Sequence, residues 1–227
     1  MQNVAIFGAS HGLGLAMAKY YSQQGFSIIG LGRGDKPSPE FSLLNGLWIQ
    51  CDALDLMQVQ TAVQMLPNSC WVISTMGSFN AEQYVDYQGN RHIIDCLEER
   101  GGMRFLLITS LGCGDSWQYL PPRAKAVFGR AVREKSLAEM WLQTSTLDYT
   151  IVRPGGLIDG ELTHTGELSQ GQEVHGCVSR TEVARLSHQL LMDSSSIGQI
   201  YHCVNCKCKI SVVFNLAVFS LTVYITP

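Results

Sequence analysis

Val4-Ala5-Ile6-Phe7-Gly8-Ala9-Ser10-His11-Gly12-Leu13-Gly14 opens the chain with a short apolar run, a glycine-bearing turn and the start of an amphipathic stretch. A strand that is apolar at every position is buried on both faces, as in a parallel sheet covered by helices. Gly8 supplies the tight turn, Gly12 lets backbone approach a pyrophosphate, and Gly14 permits close packing of helix on sheet. Ser10, His11 and Leu13 complete the turn. A helix that starts here points free N–H groups and its positive dipole end at phosphate oxygens. The stretch therefore predicts a dinucleotide-binding turn, because its glycines follow a strand and precede a helix.

The rest of the chain repeats that alternation. Strands are predicted at Val4–Phe7, Ser27–Leu31, Leu47–Cys51, Trp71–Ser74, Arg104–Thr109, Tyr149–Val152 and Ile200–Val204. Helices are predicted at Leu13–Gln24, Leu56–Leu66, Gln83–Arg100, Arg123–Gln143 and Thr181–Met192. This order gives an α/β fold, a doubly wound parallel sheet of Rossmann type with helices on both faces. Residues 1–204 read as one domain with a small substrate-side segment near 155–180. The last stretch, 205–227, is an atypical apolar tail. It reads as an extra strand or packed segment, as a membrane tail, or as an altered terminus. A bilayer span wants about 20 apolar residues, and Ile210–Ile225 is shorter and interrupted by Asn215.

Composition narrows the partners. The 227 residues are 46% hydrophobic and 15% charged, with a net charge of −3. A strongly basic surface is missing, which argues against nucleic acid and leaves a small-molecule substrate. No basic, apolar leader precedes Val4, and Cys51, Cys70, Cys96, Cys113 and Cys177 stand singly in apolar segments, as reduced thiols do; a cytoplasmic location is expected. Cys203, Cys206 and Cys208 cluster, with His202 adjacent, but no fourth zinc ligand of suitable spacing follows, so no metal is expected.

The glycine spacing resembles the Gly-x-x-x-Gly-x-Gly turn of the short-chain dehydrogenase/reductase superfamily. Asp52, followed by Ala53, then matches the acidic residue beside the adenine; it reads equally well as a helix N-cap. Thr75-Met76-Gly77 falls where the fourth strand ends in a cofactor-lining turn. At the end of the second strand an NAD site usually holds Asp or Glu for the ribose hydroxyls. Here stands Gly32-Arg33, and a guanidinium can grip a 2′-phosphate bidentately. NADP (as NADPH) is expected over NAD, with His11 where NADP-preferring members often carry a basic residue.

Lys135-Ser136-Leu137-Ala138-Glu139 resembles the Lys-x-x-x-Glu segment of the atypical branch. The tyrosine that protonates substrate elsewhere in the superfamily is replaced by Ala131. Tyr119 with Arg123 imitates the spacing, but Pro121 and Pro122 intervene. Leu107–Gly112, with Ser110 at its strand end, and Asp148-Tyr149-Thr150-Ile151-Val152-Arg153-Pro154-Gly155 also resemble this branch, as does Val178-Ser179-Arg180-Thr181-Glu182-Val183-Ala184. Together they are similar to the group containing biliverdin reductase B, a flavin reductase, with NmrA-like regulators as cousins.

The resemblance implies an NAD(P)H-dependent reductase acting without a catalytic tyrosine. A flat conjugated acceptor, flavin-like or tetrapyrrole-like, would take hydride directly and gain its proton from water or Ser110. Ser110 and Lys135 are the implied catalytic residues and also cofactor contacts, with Pro154 and Gly155 beside the nicotinamide. Ser110 also reads as a plain strand-end residue and Lys135 as a solvated helix lysine. Arg153 reads as a functional cation or, better, as half of a structural ion pair near the sheet edge. A non-catalytic NADP(H)-sensing regulator is the alternative.

Overall fold

The computed structural model describes residues 2–78, 84–205, 210–212 and 223–225. Its spine alternates as the sequence does: β1 (Asn3–Phe7), α1 (Gly12–Gln23), β2 (Ser27–Gly32), α2 (Pro39–Ser42), β3 (Leu47–Gln50), α3 (Leu56–Met65), β4 (Trp71–Ser74), α4 (Gln88–Arg100) and β5 (Arg104–Ile108). A 3-10 turn (Gly114–Tyr119) leads to α5 (Pro122–Gln143) and β6 (Asp148–Pro154). Then come β7 (Gly156–Ile158), β8 (Glu167–Ser169), β9 (Cys177–Ser179), α6 (Arg180–Met192) and β10 (Gln199–Val204). The main sheet runs β3-β2-β1-β4-β5-β6-β10-β8. All neighbours are parallel except β8, which lies antiparallel to β10.

Two apolar layers cover the sheet. On one face Leu13, Met17 and Tyr21 of α1 meet Val183 and Leu190 of α6 over Ile6 and Val152. On the other, Val59 of α3, Ile93 and Leu97 of α4 and Leu142 of α5 cover Phe7, Phe105 and Ile151. Burial on both faces is why the strands read as unbroken apolar runs.

Several local expectations need correcting. The N-cap of α3 is Asp55, whose Oδ1 accepts from the N–H groups of Met57 and Gln58, and not Asp52. Helix α4 begins at Gln88 rather than Gln83, which lies outside the described residues; Asp86 and Tyr87 form a turn because Asp86 is bound to Ser78. Arg153 is interior, since β6 lies between β5 and β10.

Cys51, Cys70, Cys96, Cys113 and Cys203 are buried free thiols. Cys177 is not: it is disulfide-bonded. Its strand reaches Asn205 through a β-bridge, beside the cysteine-rich stretch of sequence. Cys206 and Cys208 lie outside the described residues.

The segment 155–180 is built from three-residue strands. β7 pairs with β9 in a separate parallel ribbon, and β8 extends the main sheet. In the tail, β11 (Ile210–Val212) pairs antiparallel with β12 (Val223–Ile225). Among the described residues no helix is long and apolar enough to cross a membrane.

Candidate active site

The glycines set the geometry of the turn. Gly8 sits at φ +87°, and its N–H donates to Leu31 O. A Cβ on Gly14 would lie 2.1 Å from Gly8 O, so α1 packs on the turn only because Gly14 has no side chain. Gly12 sits at φ +55°, which disfavours any L side chain, yet the space before it is open. His11 is the exposed N-cap of α1 and makes no side-chain cap, and the first turn holds no acidic residue. The helix therefore presents unsatisfied N–H groups and no negative charge, the condition a phosphate needs.

These residues line a groove of about 650 Å³ along the C-terminal ends of β1, β2, β4 and β5, across the point where strand order reverses. Gly8, Ser10, His11, Gly12, Leu13, Gly14, Arg33, Asp52, Ala53, Thr75, Met76, Gly77, Ser110 and Lys135 all border it. Arg33 follows β2 directly and is exposed. Asp52 uses Oδ1 to accept from Leu54 N at 3.0 Å. Thr75 ties the end of β4 to β1 through its N–H and hydroxyl on Phe7 O. A groove with an open glycine, an uncapped helix start and a rim cation fits a dinucleotide.

Pro154 and Gly155 fall elsewhere. They border a second, more apolar cavity of about 420 Å³ with Leu111, Leu120, Phe128 and Ala131. Gly155 permits close packing there, since a Cβ would lie 2.4 Å from Gly176 O. The two cavities share Gly77, Ser78, Ser110 and Lys135. Tyr119 borders neither; it lines a small adjoining hollow with His202, which shares Leu111, Leu120 and His175 with the second cavity.

Lys135 is not a solvated helix lysine. Its Nζ lies 2.8 Å from Asp86 Oδ1 and donates to Met76 O at 3.1 Å, with the side chain 15% exposed. Asp86 is fully buried; its Oδ2 accepts from Ser78 N at 2.9 Å and Ser78 Oγ at 2.6 Å. Asp86 and Ser78 escaped the sequence reading because a lone acid in a loop carries no periodic signal. Ser110 Oγ sits 3.6 Å from Cys113 Sγ, and burial pushes that thiol up to about 11, so it stays protonated at neutral pH.

Arg153 serves the core. Nε and Nη2 grip both oxygens of Glu139 at 3.0 and 2.7 Å, and Nη1 reaches Asp115 at 2.6 Å. Thr109 donates to Glu139 Oε1 at 2.6 Å. The Lys-x-x-x-Glu spacing thus places one residue at the cavities and the other in the core.

Comparison with known proteins agrees with this geometry. The NAD(P)H-binding family model matches residues 8–194. ChuY of Escherichia coli O157:H7, an anaerobilin reductase, is 38% identical, with a TM-score of 0.83 over 92% of this chain and 99% of its own. A short-chain dehydrogenase/reductase of Veillonella parvula, solved in complex with NADP, is 19% identical with a TM-score of 0.71 over 89% of this chain and 94% of its own, a likeness of fold alone. The chloroplastic protein TIC 62 of Pisum sativum is 31% identical over 61% of this chain and 27% of that protein. The chain spans from about a quarter to half the length of the curated relatives it matches. By sequence and fold alike, the chain belongs to the NAD(P)H-binding family.

Proposed function

We propose that the protein is an NADPH-dependent reductase that delivers hydride to a small, flat, conjugated acceptor of tetrapyrrole or flavin type. The observation that carries this reading is the shared wall: an apolar cavity opens on the dinucleotide groove at Gly77, Ser78, Ser110 and Lys135. A planar apolar acceptor placed there would lie beside the end of the groove where the nicotinamide ring belongs. The likeness to an anaerobilin reductase supports the tetrapyrrole class.

The bound nicotinamide supplies the hydride. The chain supplies position. Gly8, Gly12 and Gly14 hold the diphosphate, and Arg33 reads the 2′-phosphate that distinguishes NADPH. Leu111, Leu120 and Phe128 exclude water from the acceptor's face. Lys135, held by Asp86 and Met76 O, keeps a positive charge where the reduced acceptor gains electron density. Ser110 offers a hydroxyl to the acceptor's heteroatoms, and the proton follows from water. Ala131 at the wall of the apolar cavity, and the absence of Tyr119 from the lining of either cavity, support a route without tyrosine.

The test is NADPH oxidation with biliverdin or flavin mononucleotide as acceptor. The parent should turn over, Tyr119→Phe should stay within a few-fold, and Ser110→Ala should lose more. A general acid contributes about 10²–10⁴-fold, so a collapse in Tyr119→Phe would expose a missed acid. Tight NADPH binding with no turnover on any acceptor would favour the non-catalytic sensor.

A further inference from the structure

The cofactor groove has a second wall that the glycine motif does not supply. Arg180, the first residue of α6, borders it together with Leu157 of β7. A Cβ on Gly12 would meet the Arg180 Nε first, at 3.9 Å, across the open space in front of the turn. That Nε is buried and makes no hydrogen bond among the described residues. Among the described residues the guanidinium is engaged through Nη1 alone, which donates to Asp159 Oδ1 at 2.7 Å. Asp159 is 94% exposed, so this pair is screened by water and contributes little. A buried, unmatched N–H of a charged group is costly, and it is found where a ligand completes it.

We propose that Arg180 is a diphosphate ligand, closing on the dinucleotide from the side opposite the glycine turn. This rests on the reading of the groove as a dinucleotide site. The edge of the guanidinium that carries Nε faces Gly12, where the uncapped start of α1 gathers phosphate oxygens. A side-on guanidinium fits two of those oxygens, and Nη1 can stay on Asp159. The base of Arg180 is fixed. Ser179 caps α6 through Glu182 N, Thr181 Oγ1 donates to Gly160 O at 3.0 Å, and Glu182 accepts from Thr163 N at 2.8 Å. Through these contacts Arg180 links the segment 155–180 to the glycine turn when the diphosphate is held.

The assignment makes a pattern that Arg33 does not share. The diphosphate is common to NADPH and NADH, whereas Arg33 reads only the 2′-phosphate. Calorimetric titration of Arg180→Ala should therefore show NADPH and NADH weakened alike, by about tenfold to a hundredfold, with adenosine 2′-phosphate bound as by the parent. Arg180→Lys keeps the charge but loses the fork and should fall between. Asp159→Ala leaves Arg180 in place and should bind both dinucleotides as tightly as the parent. Parent-like affinity in Arg180→Ala overturns the assignment and leaves the groove reading intact, as does a loss confined to NADPH. An equal loss in Asp159→Ala also overturns it, because the ion pair would then be bracing the loop. If Arg180→Ala does not melt cooperatively, Arg180→Lys decides, with parent-like affinity for both dinucleotides overturning the proposal. A parent that binds neither dinucleotide sinks this proposal and the groove reading together.

Discussion

Two buried ion pairs hang from successive turns of α5, and they differ in how completely they are closed. Glu139 and Arg153 are 1% and 3% exposed, joined by a two-pronged contact, with Thr109 and Asp115 filling further positions. Lys135 and Asp86 are also close, but Asp86 Oδ1 lies outside hydrogen-bond geometry despite standing 2.8 Å from Nζ. The lysine side also borders both cavities. A charge pair sealed on every side can only hold the fold. One left partly unmatched at a cavity wall retains charge that a ligand can use. The same helix thus carries a sealed pair in the core and, one turn away, a pair at the cavity wall.

Removing one partner of the sealed pair should have the largest effect. Arg153→Ala strands Glu139 in the core and is expected to cost about 3–5 kcal/mol in urea unfolding. The double variant Arg153→Met with Glu139→Met should recover most of that loss, since an apolar pair of similar size removes the stranded charge. No recovery would mean that the pair is needed for geometry beyond its charges.

Lys135→Met should cost less stability, about 1–2 kcal/mol, because Asp86 keeps both hydrogen bonds from Ser78. Its turnover should fall at least tenfold, by steady-state kinetics, whereas folded Arg153 and Glu139 double variants should hold kcat/KM within a few-fold. Equal stability losses for the two helix positions would erase the distinction between the pairs.

The smallest effect is on the rim of the sealed pair. The hydrogen bond from Arg153 holds the Asp115 carboxyl below its ordinary value of 3.8. A lowered folded pKa contributes stability that is full above the ordinary value and vanishes as pH falls through the folded one. Asp115 is 71% exposed, so the contribution is small. Asp115→Asn should melt slightly below the parent at neutral pH, and the difference in melting temperature should shrink as pH falls below 3.8. A gap that widens in acid would reverse the assigned direction.

The phosphate turn was legible because its glycines perform backbone tasks that no other residue can, and those tasks leave a fixed spacing. The seven central strands were legible from their unbroken apolar runs. The substrate-side segment was not. β7, β8 and β9 are three residues long, too short for a period, and β8 finds its partner in β10 some thirty residues later. Asp86 and Ser78 were silent for a related reason, and Arg180, though part of a quoted segment, showed no role. Each matters through what the fold sets against it, and one charged residue in a loop or at a helix start looks like solvent-facing polarity. Lys135 was found through its spacing from Glu139, but nothing in that spacing distinguishes a buried lysine from a solvated one.

The packing of α1 on α6 has a consequence for how the chain is made. Tyr20 Oη and His188 Nδ1 stand 3.5 Å apart although 168 residues separate them. Helix α1 is translated among the first, and its apolar side, including Met17 and Tyr21, finds its cover on α6 only when residues 180–192 have emerged. Closing so long a loop is entropically slow, and uncovered apolar surface in a waiting intermediate invites association with other chains. Nascent chains stalled before Arg180 should therefore bind hydrophobic-surface chaperones more than chains released past Val204. The N-terminal nucleotide half is thus the first part of the molecule to be synthesised and among the last to be finished.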